Sequence, residues 1–154
     1  MPNFGMLPQT STLLALATVT TSGTSAALTL PPAQSYRFVV QVNTVSGTTP
    51  TLQVIIATSF DAGTTYNEVL SFVAATTTGA GRQMLVRPYL GVGDVATEQT
   101  AGLLGVTDLA AGVLIAHGVL NPQFIKIRWV LTGTSPSFAW QFQYGALPQD
   151  YSGS

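Results

Sequence analysis

The chain of 154 residues has no cysteine, a single histidine, and only five basic and six acidic residues. Without cysteine there is no disulfide framework, no thiolate metal site and no cysteine nucleophile, and the redox compartment is left open. One imidazole, His117, has no second histidine or cysteine with which to build a transition-metal site, so a structural or surface histidine is the simpler reading. Charged side chains make up 7% of the chain against roughly 25% in an ordinary globular domain. Five cations and a net charge of -1 supply no patch able to neutralise several phosphates, which argues against a nucleic-acid partner. They also give a free monomer little colloidal protection, so the sequence predicts that part of a neutral, Thr- and Ala-rich exterior is covered by other subunits.

Long apolar runs are missing too. None approaches the stretch of about eighteen residues that a membrane-spanning helix needs, and no membrane is expected as a partner. Leu13-Leu14-Ala15-Leu16-Ala17 looks like the apolar region of a leader peptide. However, no basic residue precedes it and Thr18, Thr20 and Thr21 follow, so a strand is the better expectation. Catalytic signatures are likewise absent: there is no Gly-x-Ser-x-Gly elbow, phosphate-binding loop or dinucleotide fingerprint, and Gly79-Ala80-Gly81-Arg82 reads only as a turn. Asp61 and Glu68 could be sought as the paired acids of a glycosidase, but both flank a turn with nothing to perturb them. Asp94, Glu98 and Asp108 could offer oxygen ligands to calcium, but their spacing matches no EF-hand loop. The sequence therefore predicts no enzyme, no cofactor and no metal.

What is present is β-structure. A hydrophobic content of 46% is enough for one domain of this length to bury a core. Two segments resemble each other, Tyr36 to Ser59 and Phe124 to Ala146, and each reads as strand, polar turn, strand. Their centres, Ser46-Gly47-Thr48-Thr49-Pro50 and Thr132-Gly133-Thr134-Ser135-Pro136, overlay, and their flanks are rich in Val, Ile, Phe, Trp and Thr. Alternation puts Phe38, Val40 and Val42 on one face, Arg37, Val39, Gln41 and Asn43 on the other, and Leu52, Val54 and Ile56 inward. A first hairpin is expected from Leu13–Thr20 and Ala26–Leu30, closed by Pro31-Pro32. Asp61-Ala62-Gly63 should turn into a strand over Tyr66 to Ala74, and Gly79 to Gly81 into another over Arg82 to Leu90.

Met1 to Thr10 has two prolines and scattered apolar side chains without a period, and reads as an extended arm or a frayed terminus. Residues 91–123 break the strand rhythm. They are rich in glycine yet hold Leu103, Leu104, Leu109, Val113, Leu114 and Ile115, and are expected to form an ordered insertion with a short strand near Val113 to Ala116. The organisation expected is an arm (1–10), one antiparallel β-sandwich domain (11–147) carrying that insertion, and a polar tail (148–154). Trp129 and Trp140 are expected as buried anchors, although with Tyr66 and Tyr144 they could instead form a sugar-stacking platform. Lys126 and Arg128 share a strand face, as do Arg82 and Met84.

The strand, SGTTPT or TGTSPS centre and strand, with ATSFDAGTTY, a Gly-Arg corner and IKIRWVLTGTSPSFAWQF, resemble the jelly-roll capsid decoration, or cement, proteins of tailed bacteriophages. The resemblance spans about Thr12 to Ala146 apart from the insertion, and its motifs are turn and strand signatures. It implies an all-β, jelly-roll-like fold and a homotrimer on the outer surface of the virion, bound to the major capsid protein and stabilising the shell. On that reading Pro2, Asn3, Phe4, Met6 and Leu7 are candidate capsid contacts. Arg82, Arg87, Lys126, Arg128, Asp94 and Glu98 are candidate contacts between subunits. A tail or neck accessory protein of the same virion, or a carbohydrate-binding module, is the alternative.

Overall fold

A computed structural model describes residues 11–33, 35–79 and 120–147, together with the backbone of 81–86. The expected arm (1–10), most of the insertion, the short strand near 113–116 and the tail lie outside the described residues.

Six strands form one antiparallel sheet, with no helix among the described residues: β1 (Ser11–Val19), β2 (Gly23–Thr24), β3 (Ser35–Thr58), β4 (Asn67–Ser71), β5 (Gly81–Val86) and β6 (Ile125–Leu147). The all-β, antiparallel class expected from the sequence is what the chain adopts. Hydrogen bonding defines a single continuous sheet in the order β1-β6-β3-β4, with β2 added to β6 and β5 to β3.

The two look-alike segments are β3 and β6, and here the structure corrects the sequence reading. Neither folds back on itself as a hairpin. They pair with each other along their whole length, from Ser35 opposite Leu147 to Thr58 opposite Ile125. The presumed turns lie against each other midway, with Ser46 opposite Ser137, Thr48 opposite Thr134 and Thr51 opposite Thr132. Both strands bend there by the same device. Gly47 and Gly133 have φ of 116° and 106°, a region closed to other residues, and Thr49 and Ser135 both have φ of 48°. Each glycine lies on the other strand: a Cβ on Gly47 would come 2.7 Å from the Ser135 carbonyl oxygen, and one on Gly133 would come 2.7 Å from that of Thr49. The motif Gly-Thr-(Thr/Ser)-Pro is thus a crossing of two strands.

The bend folds the ribbon over. Trp129 and Trp140 are eleven residues apart on β6, which in a straight strand is about 36 Å. Their ring centroids are 5.8 Å apart. Phe72, just after β4, meets Phe142 edge-on at 6.0 Å, and Phe38 stacks on Phe142 at 5.6 Å. Phe38, Val40, Val42, Leu52, Val54 and Ile56, the residues alternation placed inward, are all buried in the core cluster so formed.

The outer runs follow the same bend. Residues 13–20 and 26–30 do not pair as the expected first hairpin. β1 pairs with β6 from Tyr144 to Phe138, β2 pairs with Trp129 and Arg128, and Leu28 bridges Ile125, so the run tracks β6 past its bend. On the far side, β4 pairs with β3 at Ile55 to Thr58, Leu52 bridges Ala75, and the Gly79 amide donates to the Val42 carbonyl before β5 pairs with Tyr36 to Gln41. The run 67–86 accompanies β3 as the run 11–28 accompanies β6, which makes the sheet pseudo-twofold about the crossing.

Candidate interaction surface

Three features of the described residues carry chemistry: a charged cluster on the sheet, a hydrogen-bonded loop, and a neutral edge. The cluster sits where β4, β3 and β6 lie side by side. Glu68 pairs across to Ala57 and Ala57 to Lys126, while Arg128 pairs with Ile55. Glu68 is fully buried and forms an ion pair with Arg128 at 3.9 Å, and the Lys126 ammonium lies 4.5 Å from the centre of the buried Tyr66 ring. Attraction of a cation to an aromatic face and to a buried carboxylate holds both basic side chains within the chain. The shared face expected for Lys126 and Arg128 is therefore real, and their partners there are Tyr66 and Glu68. Of the other candidates, Arg82 is on β5 opposite Val40. Arg87, Asp94, Glu98, Asp108, His117 and the arm residues Pro2, Asn3, Phe4, Met6 and Leu7 lie outside the described residues.

The loop between β3 and β4 is built on Ser59 and Asp61. The Ser59 hydroxyl donates to Asp61 Oδ1 at 2.6 Å and accepts from the Gly63 amide at 2.9 Å, and the Thr65 amide donates to the same carboxylate oxygen at 2.7 Å. Ala62 and Gly63, with φ of 56° and 85°, turn the chain as expected. The Ser59 hydroxyl and the Thr65 donors stabilise the ionised form, so the Asp61 carboxyl is lowered from 3.8 to about 2. Asn121 ties the loop to the lead into β6, its side-chain amide donating to the Ser59 carbonyl at 2.8 Å. Phe60 stands out of this frame, 61% exposed. Asp61 is exposed and Glu68 is buried and ion-paired, an arrangement that does not suit the two carboxylates of a glycosidase flanking one bond. No group of three or more metal-ligating side chains occurs among the described residues.

The tryptophans form no flat exposed platform. Trp140 and Tyr66 are buried. Trp129 is half-buried, donates its indole N–H to the Thr21 carbonyl at 3.0 Å, lies against Gly23, and is inclined at 61° to Trp140. Sugar stacking needs open ring faces, and packing across the fold occupies these.

The edge is β1, which pairs only with β6 among the described residues. Its sequence STLLALATV has no charge and no proline, Ala15, Leu16 and Ala17 are exposed, and Leu16 is 51% exposed. The register shifts near Leu14 distort this edge, the one protective device in a strand that lacks the usual lysines and prolines. Sequence reading expected a strand here but placed it in a hairpin, and so missed that it is an edge. No known protein-family model, curated protein or solved structure matches the chain.

Proposed function

We propose that the chain is a non-enzymatic structural protein of a virion, a decoration protein that binds the outside of a phage head through the major capsid protein and stabilises the shell. The observation that supports this reading best is the β1 edge: an uncharged strand with Leu16 half in solvent, on a chain with very few charges, suits a surface designed to be covered. Cementing by such a protein is a matter of avidity, since contacts too weak alone act together when many copies sit on one lattice. The resemblance of the sequence motifs to decoration proteins points the same way, and a homotrimer is the assembly it implies.

The test is the mass in solution by light scattering, followed by mixing with purified expanded heads and pelleting. A trimer that sediments with the heads supports the proposal, and a monomer left in the supernatant refutes it. Deleting Met1 to Pro8 should abolish head binding while leaving the β-sheet spectrum intact. A truncated protein that still decorates heads removes the arm from the binding surface.

A further inference from the structure

The sheet has an unusual division. Cut at the loop 59–66, the chain falls into a first half containing β1, β2 and β3 and a second containing β4, β5 and β6. Every strand pairing among the described residues joins one half to the other: β1 and β2 to β6, β4 and β5 to β3, and β3 to β6. The isolated bridges Leu28 to Ile125 and Leu52 to Ala75 cross in the same way. So do the side-chain bonds that fasten the ends, from Thr29 to the Gln123 carbonyl and from Gln53 to Ser71. Among the described residues neither half has a strand neighbour of its own, and an unpaired strand has no means of satisfying its buried backbone groups.

We infer that the two halves are interlocking partners, and that a second copy of this chain can supply the missing half, so that the protein multimerises by exchange of halves about the loop 59–66. The exchanged and closed forms contain the same strand pairs, the same crossing of Gly47 with Gly133 and the same core, and they differ only in the course of that loop. Exchange is a low-cost route to dimers under this condition. The Ser59, Asp61 and Thr65 hydrogen bonds act as the latch that favours the closed form, because they exist only when the loop reverses tightly. The inference does not depend on the virion reading, since it concerns how one copy meets another.

The test exploits the absence of cysteine from the chain. Gln41 and Gln141 are directly opposite and their side-chain amides are hydrogen-bonded at 2.6 Å. The double variant Gln41→Cys, Gln141→Cys therefore forms a disulfide that joins the halves. In the closed form it lies within one chain, and denaturing non-reducing electrophoresis gives the single-chain band. Deleting Ser59 to Thr65 leaves only Tyr66 between the paired Thr58 and Asn67, fewer than the two residues the tightest hairpin needs, and the cross-linked band should move to two chains or more. A shortened variant that cross-links only within its own chain overturns the inference.

A second measurement decides the matter should the shortened variant not fold. A protease site placed between Ala62 and Gly63 of the full-length chain allows it to be nicked after folding. The fragments should co-elute, lose their cooperative melt when separated, and regain it on mixing. A fragment that melts cooperatively alone, or a mixture that does not recover, refutes the interlocking.

Discussion

Replacing Gly133 with alanine tests the strand crossing on which the fold turns. Two costs combine. A residue with a side chain held at φ of 106° costs about 1–3 kcal/mol in backbone strain. The added methyl would stand 2.7 and 2.8 Å from the Thr49 and Thr48 carbonyl oxygens, and relieving such overpacking costs on the order of 1–3 kcal/mol more. Gly133→Ala should therefore lose about 2–6 kcal/mol, a large share of the 5–15 kcal/mol typical of a domain. Gly47→Ala should lose a similar amount, its contacts being the mirror set on Ser135, Pro136 and Thr134.

Two further glycines separate the terms. Gly79 has φ of 75° but open space where a Cβ would be, so Gly79→Ala pays only the strain, about 1–3 kcal/mol. Gly145 lies in β6 without positive φ and with nothing within 4 Å, so Gly145→Ala should be neutral or stabilising by about 0.5–1 kcal/mol. Urea unfolding followed by the fluorescence of Trp129 and Trp140, which meet across the bend, reads all four. Because Gly47 and Gly133 share one crossing, the double variant should cost less than the sum of the singles. A Gly133→Ala protein within about 0.5 kcal/mol of the parent, or no more affected than Gly79→Ala, would refute the crossing as the origin of the bend.

Two other outcomes follow from the charged groups. Asp61 has a folded pKa of about 2 against 3.8, so its contribution is present above the unfolded value and is lost as pH falls through the folded one. Stability should decline between about pH 4 and pH 2, and Asp61→Asn should flatten that part of the profile in acid-titrated melts; an unchanged slope contradicts the loop geometry. Arg128→Met leaves Glu68 buried without its ion pair and should cost about 3–5 kcal/mol, most of it restored by adding Glu68→Gln, and a single variant costing under about 1 kcal/mol in urea unfolding removes the pair from the stability of the sheet.

Much of the fold is legible in the sequence, because period-two alternation is a local property. Phe38, Val40 and Val42 carry it plainly, and the two look-alike segments announce a repeat. What alternation does not encode is the partner. A cluster of Ser, Thr, Gly and Pro between two periodic apolar stretches signals a loop, and Ser46–Pro50 and Thr132–Pro136 carry that signal. Only because the two stretches lie opposite each other does the chain bend and continue. The same limit hid the β1 edge, since STLLALATV reads equally well as a hairpin arm. Ile55 and Ala57, on the face away from Leu52, Val54 and Ile56, are buried as well, and Glu68 beside them is buried too. A strand covered on both faces loses the contrast that would have identified it. Of the candidate site, the shared face of Lys126 and Arg128 was legible from spacing. Their engagement by Tyr66 and Glu68 was not, because those partners come from another strand.

The antiparallel pairing also determines how the protein responds to tension. Ser11 is paired with Tyr144 and Ser35 with Leu147, so the start of β1 and the end of β6 leave the sheet side by side. A pull that separates Ser11 from Leu147 does not slide two strands past each other with all their bonds sharing the load. It opens β1 from β6 like a zipper, one bond at a time from the Ser11 end, since antiparallel hydrogen bonds run perpendicular to the strands. The β1 ribbon is thus the part that peels first under force, while the β3 and β6 ribbon, locked at the crossing of Gly47 and Gly133, is the part that holds.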